Sequence, residues 1–180
     1  NFLTILKLKY LFESTNIIPG RYEIKPSMTY VELMEDIFEG NLQQFRFTII
    51  EGTVAKDALR KLRQIIKNNN LNFQISSKTL EIFSKESLIL PDTYFFTDRQ
   101  QLERLMINQK IRLDNILTRL WKNKPKDNPL KSINEALILA SIVEREAAVE
   151  WERAQISSVF LSRIRDGWRL DADPTLIYGY

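Results

Sequence analysis

Cysteine and histidine are both absent from the 180 residues of this chain. Without cysteine there is no disulfide, no thiolate zinc site and no thiol nucleophile, whatever the redox compartment. Without histidine, Ser-His-Asp catalysis and the commonest metal ligand are excluded as well. Only five glycines occur, at 20, 40, 52, 167 and 179, and they form no phosphate-cradling loop of the P-loop or dinucleotide type. Any enzymatic chemistry therefore falls to carboxylates, hydroxyls, lysines or arginines. Long apolar runs are also missing: a membrane span needs about 20 such residues, and apolar Asn1 to Phe12 is broken by Lys7 and Lys9. Neither sign of charge predominates, with 26 basic and 23 acidic residues. A net charge of +3 is too small an excess to imply a nucleic-acid partner, and none is expected.

What is present is ordinary globular material, 44% apolar and 27% charged, enough for one large domain or two small ones. The periodicities alternate between strand and helix, which predicts an α+β fold. Phe2 to Glu13 reads as an amphipathic helix, with Phe2, Ile5, Leu6 and Tyr10 as its stripe. A turn at Pro19-Gly20 leads into a short strand, Arg21 to Ile24. Thr29 and Glu32 make a capping box for a second helix, whose Val31, Leu33, Met34, Ile37 and Phe38 face inward and which Gly40 ends. Phe45 to Glu51 has the two-residue period of a half-buried strand. Gly52-Thr53 turns into a helix from Val54 to Lys67, stopped by Asn68-Asn69-Asn70. The result is a small β-α-β-α unit.

Beyond it, Leu80, Ile82 and Phe83 suggest a short helix, and Leu90-Pro91-Asp92-Thr93-Tyr94 reads as a turn. Asp98 and Gln101 start a long helix to about Trp121, with Leu102, Met106, Leu113, Ile116, Leu117 and Leu120 on its inner side. Lys122 to Lys131, with four lysines and two prolines, reads as a solvated connector; contact with an anionic membrane or glycan is the other reading. A helix from Val149 to Asp166 turns Ile156, Val159, Phe160 and Ile164 inward and closes at Gly167. The remaining segment, Trp168 to Gly179, reads as a polar loop running into a short strand.

Between these lies the helix from Ser132 to Ala147, capped by Ser132 with Glu135 three places on. At about 100° per residue, its apolar side chains cover most of the circumference, leaving Asn134, Ser141 and Arg145 as a polar strip. Such a helix is expected to be buried. Glu146 projects between Ile142 and Leu139 inside the apolar arc, whereas Glu144 emerges on roughly the opposite side. A carboxyl in apolar surroundings is held protonated, as a general acid must be. The competing reading pairs both glutamates with arginines such as Arg145 and Arg153, with no chemistry.

Several blocks together resemble a known family: Leu139-Ala140-Ser141-Ile142-Val143-Glu144-Arg145-Glu146, Glu152-Arg153, Val159-Phe160 with Arg163, and Arg169-Leu170 with Asp173-Pro174-Thr175-Leu176-Ile177-Tyr178-Gly179. They are similar to the endolytic murein transglycosylases, the MltG or YceG-like family. Glu86 with Pro91-Asp92-Thr93-Tyr94 resembles its second signature. The stretch from Gly20-Arg21-Tyr22 to Glu51-Gly52 resembles its LysM-like module. The resemblance implies a LysM-like module over residues 1–85. A mainly helical, lysozyme-like catalytic portion would follow over 86–180, incomplete at its C-terminus. The chain departs from the family at Ala147, usually Thr, at Asp171, usually Gln, at Ser162, usually Asn, and at Ser87, usually Gly.

The resemblance places the catalytic acid on Glu146 and makes Glu152, Arg153, Arg169, Asp173, Thr175 and Tyr178 candidates for shaping the substrate cleft. It implies cleavage of the bond between N-acetylmuramic acid and N-acetylglucosamine in nascent peptidoglycan, leaving 1,6-anhydro ends and needing no cofactor or metal. It also implies a chain held on the outer face of the cytoplasmic membrane by an anchor not present in this sequence, which opens on Asn1, and working beside the glycan-polymerising synthases. Three rivals stay open. One is a non-catalytic peptidoglycan-binding module. The second is a two-carboxylate hydrolase using Glu146 with Asp171 or Asp173, and the third a metal-dependent transferase built on the Asp171-Ala172-Asp173 pair.

Overall fold

Phe45, Phe47 and Ile49 alternate with Arg46 and Thr48, and this alternation organises the first core. In the computed structural model, which describes residues 17–84 and 89–170, they form strand β1 (Phe45–Ile49) with all three apolar side chains buried. Its partner is β2 (Asp92–Phe96), antiparallel, with Phe45 opposite Phe96 and Phe47 opposite Tyr94. Residues 91–94 are therefore not the turn the Pro-Asp-Thr sequence predicts. Tyr94 and Phe96 share one buried face at strand spacing, and Pro91 stands just before the strand, where its missing N–H costs no ladder bond. On the other face Thr48 and Thr93 hydrogen-bond through their hydroxyls at 3.0 Å.

Residues 21–24 form no strand either. One backbone bond, from Gln43 N–H to the Arg21 carbonyl, holds this segment. The Arg21 guanidinium donates instead to the carbonyls of Asn69 and Asn70 at 2.7 and 3.2 Å. A cation suits those carbonyls, since they lie at a helix C-terminus. Helix α1 (Tyr30–Glu39) carries the full Thr29/Glu32 capping box and ends on Gly40 in the left-handed region, φ 75°. None of its side chains is fully buried, and Val31 is exposed.

Helix α2 (Ala55–Asn68) lays Ala58 and Leu62 on the sheet, and Lys61 Nζ donates to the Thr48 carbonyl at 2.9 Å. The short α3 (Ser77–Ile82), capped by Ser76, adds Ile82 and then Phe83. The long α4 (Arg99–Lys122), capped by Asp98, contributes Leu102 and Met106 from its first half. The first core thus runs on past residue 85 into β2 and α4. The far half of α4 leaves this core, and Leu120 is exposed rather than inward.

After an exposed connector, α5 (Ile133–Glu146) packs against α6 (Glu152–Arg165). Ser132 accepts the Glu135 N–H at 3.2 Å, while the Glu135 carboxylate takes the Lys131 N–H at 2.7 Å, one residue before the cap. Leu139, Ile142, Val143 and Phe160 form a second, smaller core with Ile156, Ile164 and Leu170 packed on it. The all-round burial predicted for α5 is not found: only that one face is covered, and Ile138 is exposed, as is Val159 of α6. The molecule is an α+β fold. The segment Phe2 to Glu13, expected to be helical, Glu86, Ser87 and residues 171–180 lie outside the described residues. Among the described residues no helix is long and apolar enough to cross a membrane.

Candidate functional site

The corner where α5 ends and α6 begins holds most of the described candidate residues. Glu144 and Glu146 sit in the last turn of α5, and Ala147 has already left the helix at φ −79°, ψ 118°. The two glutamates have different fates. Glu144 accepts two hydrogen bonds from Arg153, Nε at 2.9 Å and Nη2 at 3.0 Å, a fork-to-fork pair. The hydrogen bonds from Arg153 hold the Glu144 carboxyl below the usual carboxylate range, against the opposing effect of partial burial. The same bonds raise Arg153, with further attraction from Glu150 and from Glu51 of the β1–α2 turn.

Glu146 is exposed, and among the described residues it has no hydrogen-bond or ion-pair partner. Its place in line with Leu139, Ile142 and Val143 is as the helical period requires, but the apolar surround expected for it is not there. The reason is its position. It is the last residue of α5, so no further turn follows it, and the Leu139–Ile142–Val143 cluster lies one turn behind.

Glu152 accepts the backbone N–H groups of Ala148 (3.0 Å) and Val149 (3.3 Å). Glu152, through Oε2, and Arg153, through Nε and Nη2, both expected to face sugar, make these hydrogen bonds to the corner itself. Arg169 is exposed beyond α6. Asp173, Thr175 and Tyr178, together with the Asp171/Asp173 pair, lie outside the described residues. Among the described residues no cluster of carboxylates could hold a metal ion.

Beside the corner runs a cleft of about 290 Å³ between the first core and α5. One wall is Leu137, Ala140, Ser141, Glu144 and Arg145; the other is Ile49 to Thr53 with Ile89 to Pro91. Glu144 lines it, and Glu146 does not, because the two point to opposite sides of one helix. Glu51, Gly52 and Pro91 were not among the candidate residues. The signals that mark them are a glycine held at φ 71° and a proline at a strand start.

The residues this cleft brings together, Glu51-Gly52, Pro91 and Ser141 with Glu144 and Arg145, come from three of the blocks on which the sequence resemblance rests. The model of the YceG-like family matches residues 2–180. The chain belongs to the YceG-like family. A Bacillus subtilis (strain 168) relative named endolytic murein transglycosylase is 25% identical over 182 residues, covering 88% of this chain and 50% of the relative. The chain thus spans about half the length of that curated relative. The crystal structure of a YceG-like protein from Listeria monocytogenes superposes with a TM-score of 0.52 at 21% identity, covering 98% of this chain and 66% of that one. That likeness is one of fold, and the α+β architecture is that of a YceG-like protein.

Proposed function

We propose that this protein is an endolytic murein transglycosylase that cleaves peptidoglycan strands between N-acetylmuramic acid and N-acetylglucosamine without water. The observation that carries the reading is Glu146. It is exposed and unpartnered among the described residues, two positions after a glutamate that Arg153 already holds, in a chain matching the family almost throughout. The name of the Bacillus relative supports the reaction class.

In this reading the Glu146 carboxyl donates its proton to the glycosidic oxygen as the bond from C1 breaks. The oxocarbenium-like carbon is captured by the 6-hydroxyl of the same sugar, and the hydroxyl proton passes to the Glu146 carboxylate. One C–O bond replaces another, and the proton returns to the residue that gave it. A strand lying over Glu146 displaces water from the carboxyl, which favours its neutral form. Hydrolysis would call for a second carboxylate facing the first, and Glu144 is engaged by Arg153 and aimed elsewhere. Arg169, Asp173, Thr175 and Tyr178 belong to the proposal as sugar contacts. Placement on the outer face of the cytoplasmic membrane, beside the synthases, goes with it.

The test is incubation of purified glycan strands with the full-length protein and its Glu146→Gln variant. Products ending in 1,6-anhydro sugars are expected from the wild type, with a loss of about 10²- to 10⁴-fold in the variant. Reducing ends in their place would make it a hydrolase using Asp171 or Asp173. Binding without cleavage would leave a glycan-binding module.

A further inference from the structure

Glu146 owes its place to a corner that is tied at three points. The Ala147 N–H still bonds the Val143 carbonyl at 2.9 Å, which ends α5. The next two N–H groups, of Ala148 and Val149, go to the carboxylate of Glu152. Glu144 then crosses to Arg153 by the two-pronged bond. Glu144 lies two residues before Glu146, and Arg153 is the second residue of α6. The first and last of these links bracket position 146, the Glu152 bonds tie the turn just after it, and none uses the Glu146 side chain. A carboxylate bound by both prongs of a guanidinium is fixed in place and in orientation, and so is the guanidinium.

The geometry points to Glu144, Glu152 and Arg153 as positioning residues that hold the α5–α6 corner, and with it Glu146, rather than as ligands of the sugar. The inference rests on the transglycosylase reading for its catalytic consequence, while the clamp itself is a property of the fold. Arg153 is the hinge pin of the set: it faces Glu144 directly and is drawn also by Glu150 and by Glu51 from the opposite wall of the cleft. Displacing a catalytic group by about an ångström costs up to a hundredfold in rate without any loss of substrate contacts. A clamp therefore shows itself in kcat, and a sugar ligand in KM.

The experiment compares full-length wild type with Glu144→Gln, Arg153→Ala and the swapped pair Glu144→Arg with Arg153→Glu. Anhydro-product kinetics on glycan strands are read together with amide hydrogen exchange. The expected result is a fall in kcat of about tenfold to a hundredfold in each single variant at unchanged KM, with the swapped pair regaining much of it. The amides of Ala147 to Val149 exchange faster in the single variants, while those of Leu62 and Phe96 do not change. A rise in KM at unchanged kcat, unrelieved by the swap, overturns the inference and returns Arg153 to sugar binding. Lowered melting temperature with full activity per folded molecule also overturns it. If wild type yields no anhydro product, the transglycosylase reading falls alone. Exchange then decides the clamp: faster at 147–149 in Glu144→Gln supports it, and unchanged overturns it.

Discussion

Phe95 and Phe96 are adjacent residues of one type on one strand, and replacing each by alanine separates the effect of position from that of composition. Phe96 is fully buried, with its ring 5.8 Å from that of Phe45. Phe95 is on the other face and 49% exposed. Emptying a fully buried phenylalanine site costs about 3–5 kcal/mol, since transfer and cavity terms add. Removing a half-exposed one forfeits about 1 kcal/mol, half of a full burial. At a urea slope of about 2 kcal/mol/M, Phe96→Ala should lower the denaturation midpoint by about 1.5–2.5 M, against about 0.5 M for Phe95→Ala. Urea titration followed by tryptophan fluorescence and by circular dichroism measures both. Equal shifts for the two variants, or none for Phe96→Ala, would refute the strand register and with it the extension of the first core into residues 92–106.

Three further outcomes follow from the same structure. Because Arg153 holds Glu144 below the ordinary carboxylate value of 4.5, the unfolded chain binds the proton more readily. The pair's contribution is therefore present above that value and lost as pH falls through the folded one; Glu144→Gln should flatten this acid limb in a melting-temperature profile. Burial, aided by Asp92, pushes Tyr94 up to about 12, and its hydroxyl donates to the Leu90 carbonyl. Its stabilising effect should persist below the ordinary value of 10 and fade as pH rises towards 12, and Tyr94→Phe should remove the latest phase of an ultraviolet tyrosine titration. Gly40→Ala should cost about 1–2 kcal/mol in chemical denaturation, because φ 75° places an added Cβ in the left-handed region.

Much of the helical layout was legible because its signals are local. Thr29 with Glu32, Asp98 with Gln101 and Ser132 with Glu135 lie three residues apart and mark helix starts directly. The adjacent family blocks marked the α5–α6 corner in the same way. The strand at 92–96 was not legible, since Pro-Asp-Thr is good turn chemistry and the partner that overrides it is 45 residues away. The burial of α5 was overestimated for a related reason. An apolar arc states what a helix could bury, not how many neighbours arrive to cover it.

Composition and spacing alone determined that histidine and thiol chemistry are excluded, that the fold is α+β, and that two glutamates leave the end of one helix on opposite sides. The helical period suffices for that last point, being a property of the backbone. Tertiary structure decided which glutamate is taken. Arg153 comes within reach of Glu144 only when α6 folds back along α5, and the same fold leaves Glu146 at an uncovered helix end. Contacts between elements depend on how the chain returns on itself, and no spacing along the sequence records that.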